Sequence, residues 1–433
     1  MSSQVSRIVL FSLVLAISPS LASLPRIAAA QAPPTLVPND PGYRPSVGDL
    51  LNFTQALYAI NQKEHDGRVN PQDPVVIVAD TGIDYTHPDL SDNCLPQYNL
   101  DLVSPPVAIP DILNPHGTLM AGIIAASANN GIASASINLY PRVKVISVRV
   151  GYETPQVFIT PSVIRQLMTY ALTLKAQGVN VVAINLSFVS PADDNPETSR
   201  QLLRDLHQAG IWMFAAAEQQ SGGGINWDQA TGLLPGSYAR EPGMPVILVT
   251  GILSDGTVHP NFGWGPGTVA LAAPSEGTGP APGNSTAGAN GTSCSTAEAT
   301  QAFCEELLYG PETDPDRAVA QMIATSYNKG LGGKVLPTGG AIDMYALLGT
   351  SLVPPPPLIA GATVAGAKLI INGSGFGGNP SVLINGLDKS DRIRTATDGR
   401  IMLKKQLGFN TGNNTIKVIT AERTGSATYT LAL

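Results

Sequence analysis

The stretch Val75-Val76-Ile77-Val78-Ala79-Asp80-Thr81-Gly82-Ile83-Asp84 decides the fold. Its first five residues are apolar and mostly β-branched, which reads as a strand buried on both faces, and Asp-Thr-Gly reads as the turn that ends it. Four further runs repeat the pattern, at Val143–Val150, Val181–Leu186, Trp212–Ala217 and Val246–Thr250. Helix-length segments lie between them, at His116–Ser127, Thr160–Gln177 and Thr198–Ala209. This alternation predicts an α/β fold, a parallel sheet flanked by helices on both faces. In such sheets the chemistry sits at the carboxyl ends of the strands, which is where Asp80 falls. Upstream, residues 33–74 hold Pro, Asn and Asp turns around one predicted helix, Val47 to Asn61.

Two other local patterns stand in register with the first. Asn114-Pro115-His116-Gly117-Thr118 places a histidine at the head of an apolar helix. Asn290-Gly291-Thr292-Ser293 places a serine at the start of another, with a glycine that allows close backbone approach. Each alone reads as readily as a cap or a turn. Together, a carboxylate, an imidazole and a hydroxyl at element ends are the parts of an activated nucleophile. At a helix start the serine's own N–H and the helix dipole face a developing oxyanion.

The three blocks, in the order Asp, His, Ser, resemble those of the subtilisin-like serine peptidases (subtilases, peptidase family S8). The resemblance runs from about residue 38 to 349. It includes Val182-Ala183-Ile184-Asn185-Leu186-Ser187, Leu271-Ala272-Ala273-Pro274, and the closing segment Gly340-Ala341-Ile342-Asp343-Met344-Tyr345-Ala346-Leu347. It implies a catalytic triad of Asp80, His116 and Ser293: Ser293 attacks the scissile carbonyl, His116 moves the proton, and Asp80 orients the imidazole. It also implies an extended substrate beside the strand ending at Ser187, Phe188 and Val189, bonded through its backbone.

The sequence departs from the family at several points. Gln219 aligns with the family's oxyanion Asn, with Glu218 where Gly is usual; Gln carries the same amide on one more methylene, and Asn226 is a second amide downstream. Val189-Ser190 replaces the Gly-Gly after the cleft strand, and Ala297 replaces a Pro after the nucleophile. The stretch before Asp80 is short for a separate inhibitory propeptide domain.

The rest of the chain frames this reading. Among 433 residues, 13% are charged, against about 25% in an average soluble protein, and the net charge is −7. With no run of Lys and Arg, nucleic acid is not an expected partner. Arg7, the apolar run Ile8 to Ile17, and Ala28-Ala29-Ala30 (or Ser20-Leu21-Ala22) follow the order of a secretory signal peptide over 1–30. The run is shorter than the ~18 residues that span a bilayer. The expected location is therefore outside the cytoplasm: medium, envelope or periplasm, with no membrane span in the mature chain, which is expected to be a monomer acting on polypeptides. Cys94, Cys294 and Cys304 form neither a disulfide framework nor a zinc site. Cys294 and Cys304 on one helix would stand roughly 15 Å apart, too far to bridge; pairing of Cys94 with either stays open. Of the other histidines, His87 reads as structural, and His65, His207 and His259 as solvated. No cofactor is assigned. Some subtilases hold structural calcium, and Asp193-Asp194 or Asn129-Asn130 could contribute to such a site.

Near residue 350 the pattern changes. Pro354-Pro355-Pro356-Pro357 is a stiff spacer, and period-two runs follow at Lys368–Asn372, Val382–Asn385, Asn414–Thr420 and Thr428–Leu431. Ile370-Ile371-Asn372-Gly373-Ser374-Gly375-Phe376-Gly377 resembles the opening of IPT/TIG domains, which implies a small all-β immunoglobulin-like sandwich. The expected organisation is a signal peptide at 1–30, a peptidase domain at 31–350, a linker at 351–357 and this module at 358–433. Functionally, the reading is a secreted serine endopeptidase. The alternative is a catalytically impaired pseudopeptidase that binds peptides or surfaces, and a third reading passes the acyl group to an amine.

Overall fold

The computed structural model describes residues 35–103, 114–134, 136–151, 159–188, 192–328, 330–349, 358–374, 376, 380–397, 400–404, 406–420 and 426–433. The signal peptide and linker expected from the sequence lie outside these residues, as do Val189 and Ser190.

Up to residue 349 the strands are β1 (Val75–Asp80), β2 (Leu100–Asp101), β3 (Lys144–Arg149), β4 (Val181–Leu186), β5 (Trp212–Ala216), β6 (Val246–Ile252), β7 (Val269–Pro274), β8 (Glu276–Ala281), β9 (Ser285–Asn290) and β10 (Gly340–Ala341). The helices are α1 (Pro45–Leu51), α2 (Phe53–His65), α3 (His116–Ala125), α4 (Pro161–Ala176), α5 (Pro196–Gln208), α6 (Thr292–Tyr309), α7 (Pro315–Thr325) and α8 (Met344–Leu347). Eight strands form one sheet in the order β10-β7-β6-β5-β4-β1-β3-β2, and its pairings are parallel.

Strand periodicity explains the layers. Successive side chains of β1 point to opposite faces. Val76 and Val78 enter a core built with α2, α3 and α6, while Val75, Ile77 and Ala79 enter a second core built with α4 and α5. Every residue of β1 is buried, as a strand covered by helices on both sides requires. The chain steps from β1 to β3 on one side and returns to β4 on the other. Strand order therefore reverses beside β1, and the crevice left at the carboxyl ends there is where ligands bind in open α/β sheets.

The C-terminal region holds β11 (Leu358–Ala365), β12 (Lys368–Ser374), β13 (Pro380–Ile384), β14 (Leu387–Asp388), β15 (Ile393–Thr397), β16 (Arg400–Lys404), β17 (Asn413–Thr420) and β18 (Ser426–Ala432). They form two antiparallel four-stranded sheets, β11-β12-β16-β15 and β14-β13-β17-β18. Alternate residues (Leu369, Ile371, Ile401 and Leu403 from one sheet, Val382, Ile384, Ile416 and Val418 from the other) meet in one apolar core.

Two expectations need correction, and one element was not among them. The helix read over Val47–Asn61 is two helices, because Asn52 takes a left-handed conformation at φ 52° and ends the first; Asn tolerates that region better than most residues. The hairpin β8–β9 was not expected, since Glu276–Asn290 is rich in Gly, Ala, Ser and Thr and lacks strand-forming apolar residues. His207 is not merely solvated: it pairs with Asp316 at 3.0 Å and packs edge-on to Trp212.

Candidate active site

The crevice is furnished first by β1. Asp80 closes the strand fully buried, and its Oδ1 accepts the Thr81 N–H at 2.8 Å. Helix α3 begins against it. The Thr81 hydroxyl accepts the Gly117 N–H at 3.0 Å, and Thr118 Oγ1 accepts the Asp84 N–H at 2.9 Å. Gly117 has to be glycine. A Cβ there would stand 2.3 Å from the Gly82 carbonyl and 3.1 Å from Asp80 Oδ1. This tight start brings His116 Nδ1 to 2.8 Å from Asp80 Oδ1. With its proton on Nδ1 and donated to the carboxylate, the imidazole keeps Nε2 as the basic nitrogen.

The far wall comes from the end of β4. The His116 ring lies 5.8 Å from the Phe188 ring, tilted at 45°. One residue back, the Ser187 carbonyl accepts the Ser293 hydroxyl at 3.4 Å. His116 and Ser293 are thus both anchored to the two residues that follow β4. Asn185, inside β4, is fully buried and bridges this wall to α6: its Nδ2 donates to Ser187 Oγ at 3.1 Å, and its Oδ1 accepts from Thr300 Oγ1 at 3.0 Å. Sequence reasoning did not single out Asn185 as a support; the signal was an amide in the middle of an apolar strand.

Ser293 is the second residue of α6, where backbone N–H groups lack partners inside the helix. Among the eighteen residues of α6 it alone is not buried. The loop before it is held by the Gly291 N–H, which donates to the Ser275 carbonyl at 2.8 Å.

Gln219 follows β5. Its side-chain amide packs against Gly291, so that a Cβ at that position would meet Gln219 Oε1 at 2.6 Å and Nε2 at 3.4 Å. An exposed amide is therefore present two residues from the serine, although the backbone leading to it is altered. Glu218 adopts φ 71°, a left-handed conformation that its side chain disfavours, and burial pushes its carboxyl above the ordinary range. Asn226 does not take up this position; its Oδ1 accepts the Asp228 N–H at 3.1 Å. Of the three residues expected to line the substrate, Ser187 and Phe188 stand at the crevice and Val189 lies outside the described residues.

The remaining candidates have local partners. His87 is buried, with Nε2 3.1 Å from the Ser285 carbonyl and Nδ1 3.1 Å from the Asp89 N–H. Asp193 and Asp194 both bind Arg165, at 2.9 and 2.6 Å, which leaves them poor ligands for a cation. Asn130 donates to Asp89 at 2.8 Å. The three cysteines are buried free thiols, and burial raises Cys94 and Cys294 to about 12.

A family model described as the subtilase family matches residues 72–336, more than half of the chain. A thermophilic serine proteinase from Bacillus sp. (strain AK1) is 42% identical over 74 residues, which is 17% of this chain and 17% of that protein. Solved structures share the fold, among them the following three. The subtilase cytotoxin SubAB matches with a TM-score of 0.56 and 18% identity, over 70% of this chain and 95% of that one. A protease from Pseudoalteromonas arctica matches at 0.54 and 20%, over 72% and 99%. MycP1 from Mycobacterium smegmatis matches at 0.53 and 21%, over 73% and 88%.

Proposed function

Because the chain belongs to the subtilase family, whose members are serine-type endopeptidases, we propose that it hydrolyses peptide bonds through an acyl-enzyme on Ser293. The observation that carries this reading is the exposure pattern of α6: an otherwise buried helix presents one residue, a serine, whose hydroxyl meets the Ser187 carbonyl, next to the Phe188 ring on which an imidazole held by a buried carboxylate packs. His116 Nε2 takes the hydroxyl proton as Ser293 Oγ bonds to the scissile carbon. The imidazolium is stabilised by Asp80, and it returns the proton to the leaving amine. Water then repeats the sequence and releases the acid. The carbonyl oxygen gains its charge within reach of the Ser293 N–H and the Gln219 amide, which replace water as donors. The substrate lies extended beside Ser187, Phe188 and Val189.

The chain is proposed to carry a signal peptide at 1–30 and to act outside the cytoplasm, with the peptidase domain at 31–350 joined by 351–357 to an IPT/TIG-like, immunoglobulin-like module at 358–433. Two antiparallel sheets around one core support the last assignment. The impaired pseudopeptidase remains a second reading because of Glu218, whose left-handed backbone and half-buried carboxyl precede the oxyanion amide. Labelling with a fluorophosphonate probe separates the two. Labelling of the purified protein that disappears in Ser293→Ala supports the peptidase; folded protein that does not label supports the pseudopeptidase.

A further inference from the structure

Charge is divided unevenly along the chain. Residues 358–433 carry nine Lys and Arg against four Asp and Glu, net +5, whereas the whole chain carries −7 and the preceding 357 residues therefore −12. Within the C-terminal module the excess is again uneven. The strands β11, β12, β15 and β16 contain Lys368, Arg394, Arg400 and Lys404 and no carboxylate. The other sheet carries Lys417 and, on β14, Asp388.

Register shows where these cations point. Leu369, Ile371, Ile401 and Leu403 face the core, so Lys368, Ile370 and Asn372 on β12, and Arg400, Met402 and Lys404 on β16, face outward. Lys368 stands directly opposite Lys404, and Asn372 opposite Arg400. Arg394 is exposed at the irregularity between Ile393 and Thr395 on the edge strand. Like charges paired directly across a sheet destabilise it, and no described carboxylate relieves this pair: the ion pair of this module among the described residues is Arg392–Asp391. Among the described residues the sheet thus holds a repulsive arrangement that an external anion would relieve.

We propose that the outer face of the β11-β12-β16-β15 sheet docks onto a bilayer containing anionic lipid. The cations are spread in two dimensions, across neighbouring strands about 4.8 Å apart and, from Arg400 to Lys404, roughly 13 Å along one strand. That spread matches a layer of headgroups better than the single line of charge on an extended polymer. Ile370 and Met402, half-buried between the cations, suit the interface, where Lys and Arg arms reach phosphates above an apolar boundary. No described helix is long and apolar enough to cross a membrane, so the face would supply attachment without a span. The acidic remainder of the chain is no obstacle, since its repulsion is screened beyond about 10 Å at 0.1 M salt.

The test is co-sedimentation of the full chain with phosphatidylcholine vesicles and with vesicles containing one-third phosphatidylglycerol, at 0.1 and 0.5 M NaCl. Binding is expected to the anionic vesicles only, and to fall steeply at the higher salt. Each Lys or Arg at such a surface contributes about fivefold, so the triple variant Lys368→Glu, Arg400→Glu, Lys404→Glu should lose roughly 100-fold or more. Lys417→Glu, on the opposite sheet, should change binding less than about fivefold. If the reversed triple variant does not fold, the Gln triple replaces it, with a smaller loss in the same direction. Equal binding to neutral vesicles, no binding at 0.1 M NaCl, or a loss in Lys417→Glu matching the triple variant overturns the proposal. So does binding of soluble polyphosphate without vesicle binding.

Discussion

In the first half of α6, the buried hydroxyls have partners. Ser295 donates to the Pro274 carbonyl, Thr296 to the Thr292 carbonyl, and Thr300 shares its one proton between the Thr296 carbonyl and Asn185 Oδ1. From Glu298, which stands among these hydroxyls, to the helix end, other buried polar atoms go without. Glu298 Oε2, Gln301 Oε1, both carboxyl oxygens of Glu305, Glu306 Oε2 and the Tyr309 hydroxyl have no hydrogen-bond partner. The carboxyls survive there by staying neutral: burial raises Glu298 and Glu306 to about 8 and Glu305 well above the ordinary range. Bonds in the first half fix the angle at which Ser293 leaves the helix, so a slack partner would move the nucleophile. The acids only have to pack, and a neutral acid can pack.

The largest effect should come from Ser293, the one residue of α6 that is not buried. Ser293→Ala is expected to lower kcat by about a millionfold and to leave the thermal unfolding midpoint nearly unchanged, read by peptide hydrolysis and calorimetry. A variant that keeps more than about a hundredth of the activity would move the nucleophile elsewhere. Gln219→Ala comes next: loss of one oxyanion donor typically costs about 100- to 1,000-fold in kcat with little change in KM. A loss confined to KM would make Gln219 a substrate contact instead.

The part of the molecule that holds the proposed active site was also the part most legible in the sequence. β1 and β4 could be read because strands buried on both faces are continuous apolar runs, and Asp80, His116 and Ser293 because each stands at an element end beside a glycine. The contact between Gly291 and Gln219 could not be read. It joins residues 72 positions apart, and its evidence is the absence of a side chain. The hairpin β8–β9 was hidden because its residues have weak strand preference. The basic face escaped for a related reason: Lys368, Arg394, Arg400 and Lys404 form no run along the chain, and only the register of β12 and β16 puts Lys368 opposite Lys404.

Glu298 tests the neutral acids. Its carboxyl is buried, and desolvation alone raises it. Because its folded value lies above its unfolded one, the acid favours folding fully below about pH 4.5, and that contribution is lost as pH rises towards about 8. Glu298→Gln should therefore change stability little at pH 4 and stabilise by something on the order of 3 kcal/mol at pH 8.5. Denaturant midpoints across this range measure it. A benefit that is the same at both ends would mean that the carboxyl is solvated or paired in the folded chain.

The smallest effect, and the sharpest on the comparison, belongs to Thr300. Thr300→Val keeps the shape of the side chain, removes the donor to Asn185 Oδ1 and leaves a buried amide oxygen short of a partner. That should cost about 1–2 kcal/mol of stability. Asn185 also holds Ser187, whose carbonyl accepts the Ser293 hydroxyl, so the loss has a route to the nucleophile two bonds away. If these buried α6 hydroxyls act mainly by holding the helix, fluorophosphonate labelling should slow by no more than about 5- to 30-fold, what the mutation's own 1–2 kcal/mol can account for. If labelling instead collapses while the denaturant midpoint stays put, the Thr300–Asn185–Ser187 chain positions the nucleophile directly, and the division of α6 into placing hydroxyls and packed acids is steeper than the bonds alone suggest.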